Sequence, residues 1–261
     1  MGWAKEGRSY PTEQGGVWSS TTILGIKDKS GALTQWAANE CAKYIDDAVC
    51  GAATQDRVYK NGMSADFIHL PLATFKMIVE SGKKAFRSKK DEAADIGTTV
   101  HRLIEGWFKV GRHPMLPMDS RVVNAFDLFV SWAKEVELEP LIIEQPVHSL
   151  RHEYGGTFDI LAKGKFDKKW RKKRTYLIDT KTSKAIYDTF PAQVASYSEA
   201  YREMAAAKRL PAHKVDGEGI IRVGKTDVEF EFVDCTEHHD LNFLRFLSLK
   251  DAYILWNGRP K

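Results

Sequence analysis

Two aspartates and a lysine stand in short apolar runs, where their side chains could do chemistry. Asp159 lies in the predicted strand 154–162, and Asp179 lies in the predicted strand 175–182, two residues before Lys181. Residues two apart in a strand point to the same face, so Asp179 and Lys181 would share a face, and Asp159 would face Asp179 if the strands form a hairpin. Carboxylates gathered in this way are costly unless they bind something, and Mg²⁺ prefers oxygen ligands.

A histidine on a predicted helix could complete such a site. His101 and Glu105 are four residues apart and would share one helical face. An imidazole beside two carboxylates suits Mn²⁺ as well as Mg²⁺. A lone helical histidine is more often structural than a ligand, and Glu105 is expected to neutralise a basic residue on its helix surface instead. The prediction of a metal site therefore depends on several residues being brought together.

The elements that must position these residues follow from the hydrophobic pattern. The first part of the chain is predicted to be helical, with a helix start at Ser19–Thr22, helices over about 32–49, 94–109 and 119–138, and a helix-like stretch over 66–87. After Pro140 the pattern predicts strands over 141–150, 154–162 and 175–182, a helix over 191–209, a hairpin of 219–223 and 228–233, and a helix over 237–256 with Leu241, Leu244, Leu247 or Leu249, and Tyr253 facing inward. This order predicts an α/β or α+β layered domain with a helical N-terminal extension.

Charge is concentrated in one segment. The chain of 261 residues has 39 basic and 35 acidic residues and a net charge of +4, but residues 163–174 (KGKFDKKWRKKR) hold eight basic residues and one acidic residue. The rest of the chain is therefore net acidic. Such a segment is a candidate phosphate-binding site, and a solvated hairpin tip is the alternative.

Composition excludes several classes of protein. At 43% hydrophobic and 28% charged residues, the chain is neither disordered nor fibrous. No apolar stretch approaches the length that spans a bilayer, and the first residues show no secretory signal. Three cysteines without a paired spacing favour a reducing cytoplasm over a disulfide scaffold.

Five short motifs in order resemble the RecB-like branch of the PD-(D/E)XK nucleases. The motifs are Gly97-x-x-x-His101, Glu144, Gly155-Gly156-x-x-Asp159, Ile178-Asp179-x-Lys181-Thr182 and Gln193-x-x-x-Tyr197. The segment from Trp18 to Gly25, followed by Trp36-Ala-Ala, also resembles phage exonucleases of this branch and the mitochondrial genome maintenance exonuclease family. The resemblance covers about residues 18–205.

The resemblance implies a restriction-endonuclease-like core, in which a central mixed β-sheet is flanked by helices, over residues 94–261, with a helical extension over 1–93 packed on it. It implies one or two Mg²⁺ or Mn²⁺ ions, held by His101, Asp159, Asp179 and the backbone carbonyl of Thr180. Lys181 would orient or deprotonate the attacking water, and Glu144 would be a supporting acid. Some members hold an iron–sulfur cluster with four cysteines, which three cysteines cannot supply, so no cluster is expected.

Further residues are expected to bind the substrate. The resemblance implies that Gln193 and Tyr197 position it near the metal. The hydroxyls of Ser20 and Thr21 could receive a phosphate, although an ordinary helix cap is the alternative. The basic loop could follow a nucleic-acid backbone through Lys168, Lys169, Lys172 and Lys173, with Trp170 either stacking on a base or anchoring the hairpin.

The sequence thus predicts a metal-dependent DNA exonuclease that acts on single-stranded ends, with 5′ to 3′ digestion favoured, in phage-type replication or recombination. Its partners would be DNA with a free end and replication or recombination proteins, without a membrane, in the cytoplasm of the host if a phage encodes it. The alternatives are a flap or structure-specific endonuclease with the same core, and a catalytically silent nucleic-acid-binding module.

Overall fold

The computed structural model describes residues 9–27, 30–52, 54–60, 63–111, 119–224 and 230–260. The described chain forms two compact units. We call residues 9–27 and 96–260 the core unit, and residues 30–95 the second unit. The division at residue 95 lies close to the expected limit of the N-terminal extension. Residues 9–27, however, belong to the core unit and not to an extension, which corrects the boundary expected from the sequence.

The core unit contains a sheet of seven strands and the helices that cover it. In chain order its elements are β1 (Ser9–Thr12), β2 (Gly15–Ser19), α1 (Ser20–Leu24), the end of α3 (Leu72–Val110), α4 (Ser120–Glu135), β5 (Glu139–Ser149), β6 (Tyr154–Gly164), β7 (Arg174–Lys181), α5 (Thr189–Ala206), β8 (Gly217–Val223), β9 (Phe230–Asp234), a 3₁₀ turn (Thr236–His238) and α6 (His239–Asn257). This is an α/β architecture with a mixed sheet, as the order of predicted elements indicates.

The long strand β6 lies at the centre of the sheet. It pairs with β5 in antiparallel fashion along its whole length, with β2 in parallel at its first two residues, and with β7 in antiparallel fashion from Ile160 onward. The crossover through α5 then places β8 parallel to β7, and β9 closes the edge as an antiparallel partner of β8. Because β2 and β7 share one edge of β6, residues 156–159 lie in the interval between these two partners.

Two apolar layers hold this sheet. Residues of α4 and the end of α3, including Val100, Phe126 and Phe129, pack on Ile160 and Ile178. The helices α1, α5 and α6 contribute a second layer around Tyr154 and Leu177. The helices cover both faces, and β6 and β7 are accordingly buried at nearly every position.

The second unit differs most from the sequence prediction. It contains α2 (Ser30–Ala52), a hairpin of β3 (Thr54–Lys60) and β4 (Met63–His69), and α3 up to Asp95. The hairpin corrects the expectation of a wholly helical extension. The helix-like stretch over 66–87 is confirmed from Leu72 onward and is wrong only at its start, where β4 ends. Asn61-Gly62 between the two strands is a typical hairpin sequence and is the signal that would have predicted the hairpin.

The remaining elements agree closely with the periodicity. The start of α1 is capped as predicted, because the Thr22 amide donates to the Ser19 hydroxyl at 3.1 Å. The inward face of α6 was predicted wrongly at two positions: Leu241 and Leu244 are exposed, whereas Asn242 and Phe246 are buried. None of the helices in the described ranges combines the length and the apolar character that crossing a bilayer requires.

Candidate metal centre

Three acidic residues occupy neighbouring positions on the adjacent strands β5, β6 and β7. Ile143 pairs with Ile160, and Ile160 pairs with Ile178. At the next position of this antiparallel register, Glu144, Asp159 and Asp179 lie side by side across the sheet. The sequence prediction that Asp159 and Asp179 are cross-strand neighbours is confirmed. The position of Glu144 beside them could not be derived without the register of β5.

Glu144 reaches the site through an unusual backbone conformation. Its φ angle is +50°, although it is not a glycine and lies within a strand. A residue held in this region costs about 1–3 kcal/mol, and such strain persists where surrounding structure imposes it. A register shift between Pro140 and Ile142 shows that β5 is irregular just before this point.

His101 of α3 approaches both carboxylates. Its Nδ1 atom lies 3.5 Å from Asp159 Oδ2 and 4.0 Å from Glu144 Oε1. One ligand atom from each of His101, Glu144 and Asp159 falls within 4.8 Å of the others. Two carboxylate oxygens and an imidazole fit Mn²⁺ or Mg²⁺, with room for water and substrate ligands.

The ligand set found in this way differs from the one implied by the resemblance. Glu144, expected as a supporting acid, belongs to the group of converging ligand atoms. Asp179, expected as a ligand, instead lies with Oδ2 2.5 Å from the Lys181 ammonium. Thr180 contributes its amide, which donates to Asp159 Oδ2 at 2.6 Å, so the expected role of its carbonyl stays a prediction.

Burial and crowding of charge shift the pKa values of this cluster. The Asp159 carboxylate, with Asp179 and Glu144, raises the pKa of His101 to about 9 against the effect of burial. Burial, together with the Asp159 charge, raises the pKa of Glu144 to about 7. Burial also raises the pKa of Asp179 to about 6, although the Lys181 charge opposes it. A cluster of acids that resists full ionisation by itself is one that a bound cation would stabilise.

Asp159 is the exception among the acids. Burial acts to raise its pKa, but the charges of His101 and Lys181 and the hydrogen bond from the Thr180 amide outweigh burial, and the pKa lies below its ordinary value. Asp159 is therefore the carboxylate that stays ionised, which suits the central ligand of a cation site.

Lys181 is held in place by residues of α5. Its ammonium donates to Gln193 Oε1 at 3.0 Å and lies 4.9 Å from the centre of the Phe190 ring. Gln193 in turn donates from Nε2 to the Tyr197 hydroxyl at 2.6 Å. The residues expected to position the substrate are thus brought to the site, where their side chains orient the lysine.

Glycines in the motifs allow the close approaches that build the site. A Cβ atom at Gly156 would lie 2.2 Å from Cε1 of Tyr197, and one at Gly97 would lie 2.9 Å from Oγ1 of Thr182. The first contact lets α5 bring Tyr197 down onto β6. The second lets α3 lie against the end of β7, four residues before His101.

The expected phosphate contact at Ser20 is wrong. Its hydroxyl is fully buried, donates to the Gly155 carbonyl at 3.1 Å and accepts from Ser196 at 2.9 Å. Ser20 therefore joins α1 to β6 and α5. Thr21 is exposed and its hydroxyl lies 3.1 Å from that of Ser19, so the capping alternative describes this cluster.

The basic loop between β6 and β7 lies at the other end of these strands from the site. Five residues separate Asp159 from Gly164, which corresponds to about 17 Å along a strand. Three of its lysines are paired with glutamates: Lys165 lies 2.6 Å from Glu137, Lys168 lies 3.3 Å from Glu135, and Lys173 lies 2.8 Å from Glu139. Lys169 and Lys172 are exposed. A loop at this distance does not line the metal centre.

Trp170 anchors this hairpin. Its ring lies 5.7 Å from that of Tyr176 and 6.4 Å from that of Phe166, and the Arg174 guanidinium covers it at 4.2 Å. The anchoring alternative therefore replaces the expectation that Trp170 stacks on a base. Glu105 likewise takes the role expected for it, because its carboxylate lies 2.5 Å from the Lys109 ammonium one turn later.

The sequence matches no model of a known protein family, and no curated protein matches it.

Proposed function

We propose that this protein is a nuclease of the PD-(D/E)XK type that hydrolyses phosphodiester bonds with a divalent metal ion. The observation that carries the proposal is the convergence of His101, Glu144 and Asp159 beside the Asp179–Lys181 pair. The antiparallel β5–β6–β7 segment, followed by α5 and the parallel strand β8, supports a restriction-endonuclease-like core.

The residues present suit the demands of this reaction. Water must attack phosphorus, the 3′ oxygen must leave, and negative charge accumulates on the phosphate during the transfer. Bound Mg²⁺ or Mn²⁺ would supply an acidified water and a positive charge at the phosphate oxygens. Lys181, held by Asp179 and Gln193, presents a positively charged donor that orients the attacking water and offsets the developing charge.

We further propose that the substrate is single-stranded DNA with a free end, degraded from the 5′ end, in a phage-type replication or recombination process. This part rests on the resemblance of the motifs. A flap endonuclease and a silent binding module are the alternatives, and each gives a different outcome in the experiment below.

The test uses a linear single strand labelled at either end, incubated with Mg²⁺, Mn²⁺ or EDTA. We expect metal-dependent release of label, abolished by EDTA. Asp159→Asn and Lys181→Ala should each lower the rate by about 100-fold or more. Lys134→Ala, which removes an exposed lysine at the end of α4, is the matched control and should behave as the parent.

The outcomes separate the alternatives. Cleavage of covalently closed single-stranded circles would replace the exonuclease by the endonuclease. Absence of hydrolysis with both metals, together with binding that Lys181→Ala leaves unchanged, would support the silent module and overturn the nuclease. Release of the 3′ label first would reverse the proposed direction.

A further inference from the structure

A second basic segment lies in the second unit, on helix α3. Residues 83–90 (KKAFRSKK) hold five basic residues and no acidic one. Lys76 precedes them by two helical turns. Because this segment carries a larger share of positive charge than the chain as a whole, its placement on the helix decides what it can bind.

Four of the cations share one face of the helix. Lys76, Lys83, Arg87 and Lys90 are separated by seven, four and three residues, the spacing that returns to the same side of an α-helix. At about 1.5 Å per residue, the row extends for about 21 Å. We call these four residues the basic face, and Lys84 lies at its border.

The basic face is directed to solvent within the second unit. All four side chains are exposed. The contact of α3 with α2 uses a different side of the helix: a Cβ atom at Gly82 would lie 2.7 Å from Ile45, and Lys89, seven residues later, is paired with Glu40 of α2. The contacts of Gly82 and Lys89 with α2 therefore lie on another side of the helix than the basic face.

The lysines of the basic face are only weakly neutralised by acidic groups of the described residues. Lys83 pairs with Glu80 one turn earlier at 2.5 Å, and both side chains are more than half exposed, so the pair is weak. Lys76 and Lys90 form no ion pair with any acidic side chain in the part of the chain that the structure describes. The basic loop of the core unit differs, because Lys168 and Lys173 there lie beside glutamates.

We propose that the basic face of α3 binds the phosphate backbone of a single-stranded nucleic acid. A row of exposed cations about 21 Å long matches a regularly charged polyanion and reads no sequence. The exposed ring of Phe75, next to Lys76, offers a surface on which an unpaired base can stack. The choice of a nucleic acid among polyanions rests on the proposed nuclease function.

An anionic membrane is the main competing occupant, and the packing argues against it. A helix that lies on a membrane needs a broad apolar side to insert. The side of α3 that includes Gly82 is already packed against α2. Among the described side chains of α3 within the second unit, the exposed large apolar ones are Leu72, Phe75 and Met77, all in the first six residues of the helix. They do not form the broad apolar side along the basic face that insertion needs, which favours a polyanion in water.

The test measures binding without cleavage, so that it is independent of the nuclease proposal. A labelled oligothymidine or oligouridine is titrated in EDTA at several salt concentrations, with fluorescence anisotropy as the readout. Lys83→Gln/Arg87→Gln/Lys90→Gln should weaken binding by about 10–100-fold near 0.1 M salt and should reduce the slope of log K against log salt by up to about 2.

Two matched variants complete the design. Lys168→Gln/Lys169→Gln/Lys172→Gln removes the same charge from the loop of the core unit and should change the slope less. Lys83→Arg/Lys90→Arg keeps the charge and should bind as the parent does. Circular dichroism checks that all variants are folded.

The proposal is overturned if the folded basic-face triple variant keeps the affinity and salt slope of the parent. It is also overturned if the triple variant loses binding only to phosphatidylserine vesicles, which would assign the face to a membrane. If the triple variant loses nucleic-acid binding and the parent hydrolyses no nucleic acid, this inference is kept and the nuclease proposal is rejected.

Discussion

At the scale of single residues, protons and a metal cation would compete for the same ligand atoms of the candidate site. His101, with a pKa near 9, and Glu144, with a pKa near 7, hold protons at neutral pH that a metal ion would have to displace. The same two residues offer ligand atoms within 4.8 Å of a carboxylate oxygen of Asp159. Occupancy of the site should therefore depend on pH even before any substrate is present.

We expect the affinity for Mn²⁺ to rise between about pH 6 and about pH 9, by up to about tenfold per pH unit for each proton displaced. Isothermal titration calorimetry in two buffers of different ionisation enthalpy measures both the affinity and the protons released. His101→Gln should bind more weakly and with a flatter pH dependence. An affinity that does not change with pH would argue that these two residues are not ligands.

At the scale of elements, the site depends on how closely α5 approaches β6. Tyr197 lies against Gly156, and Tyr197 holds Gln193, which holds Lys181. A side chain at position 156 would push against the tyrosine ring, and its effect would pass to the lysine. The absence of a side chain at Gly156 therefore determines how closely α5 can pack on β6.

We expect Gly156→Ala to lower the free energy of unfolding by about 1–3 kcal/mol, because the added methyl overpacks the β6–α5 contact. Gly106→Ala is the matched control: an added Cβ meets nothing within 4 Å, and the change should raise the free energy of unfolding by up to about 1 kcal/mol through helix propensity. Urea denaturation measures both. Equal effects of the two substitutions would show that the contact with Tyr197 is not tight.

At the scale of the whole molecule, a charged cluster ties α6 to the core. His239 at the start of α6 lies with Nδ1 2.7 Å from Glu218 of β8 and with Nε2 3.1 Å from Glu199 of α5. Arg202 donates to the same Glu199 at 2.6 Å. Glu218 is almost fully buried, so its charge needs these partners. The cluster joins a strand and two helices that are distant in sequence.

The pH dependence of stability follows from this cluster. The hydrogen bond with Glu199 and the Glu218 carboxylate close to Nδ1 raise the pKa of His239 to about 9, against the effect of burial. A raised histidine pKa contributes stability that is fully present below the ordinary value near 6.5 and is lost as the pH rises through about 9. The contribution is about 3 kcal/mol at most.

We expect His239→Gln to be less stable than the parent below about pH 6.5, and the difference between the two proteins to shrink as the pH rises through about 9. Thermal and urea unfolding at a series of pH values measure this difference. The parent also contains His101, whose pKa is raised to about 9, so its stability can change over the same pH range for a second reason. The difference between His101→Gln and the parent, measured over the same pH series, gives that second contribution separately. A difference between His239→Gln and the parent that stays constant with pH would mean that the charge of His239 does not hold α6.

Much of the local structure could be predicted because its signals are local. The apolar period of α4, the serine and threonine cap of α1 and the apolar body of β7 are properties of short segments. The β3–β4 hairpin is not predicted, although Asn61-Gly62 marks it, because segments with a helical pattern flank it on both sides. The inward face of α6 is predicted wrongly because its leucines point in several directions around the helix, so the sequence does not indicate which side is buried. Packing against α5 and α1 buries Asn242 and Phe246.

Sequence alone determined that Asp159, Asp179 and Lys181 lie on neighbouring strands, because strand period and chain order suffice for that. Only the tertiary structure decided that Glu144 joins His101 and Asp159 while Asp179 pairs with Lys181. It also decided that Ser20 and Trp170 are packing residues. The physical reason is that the register of β5, a positive φ angle and the burial of a hydroxyl or a ring depend on contacts between segments far apart in the chain, which no local pattern records.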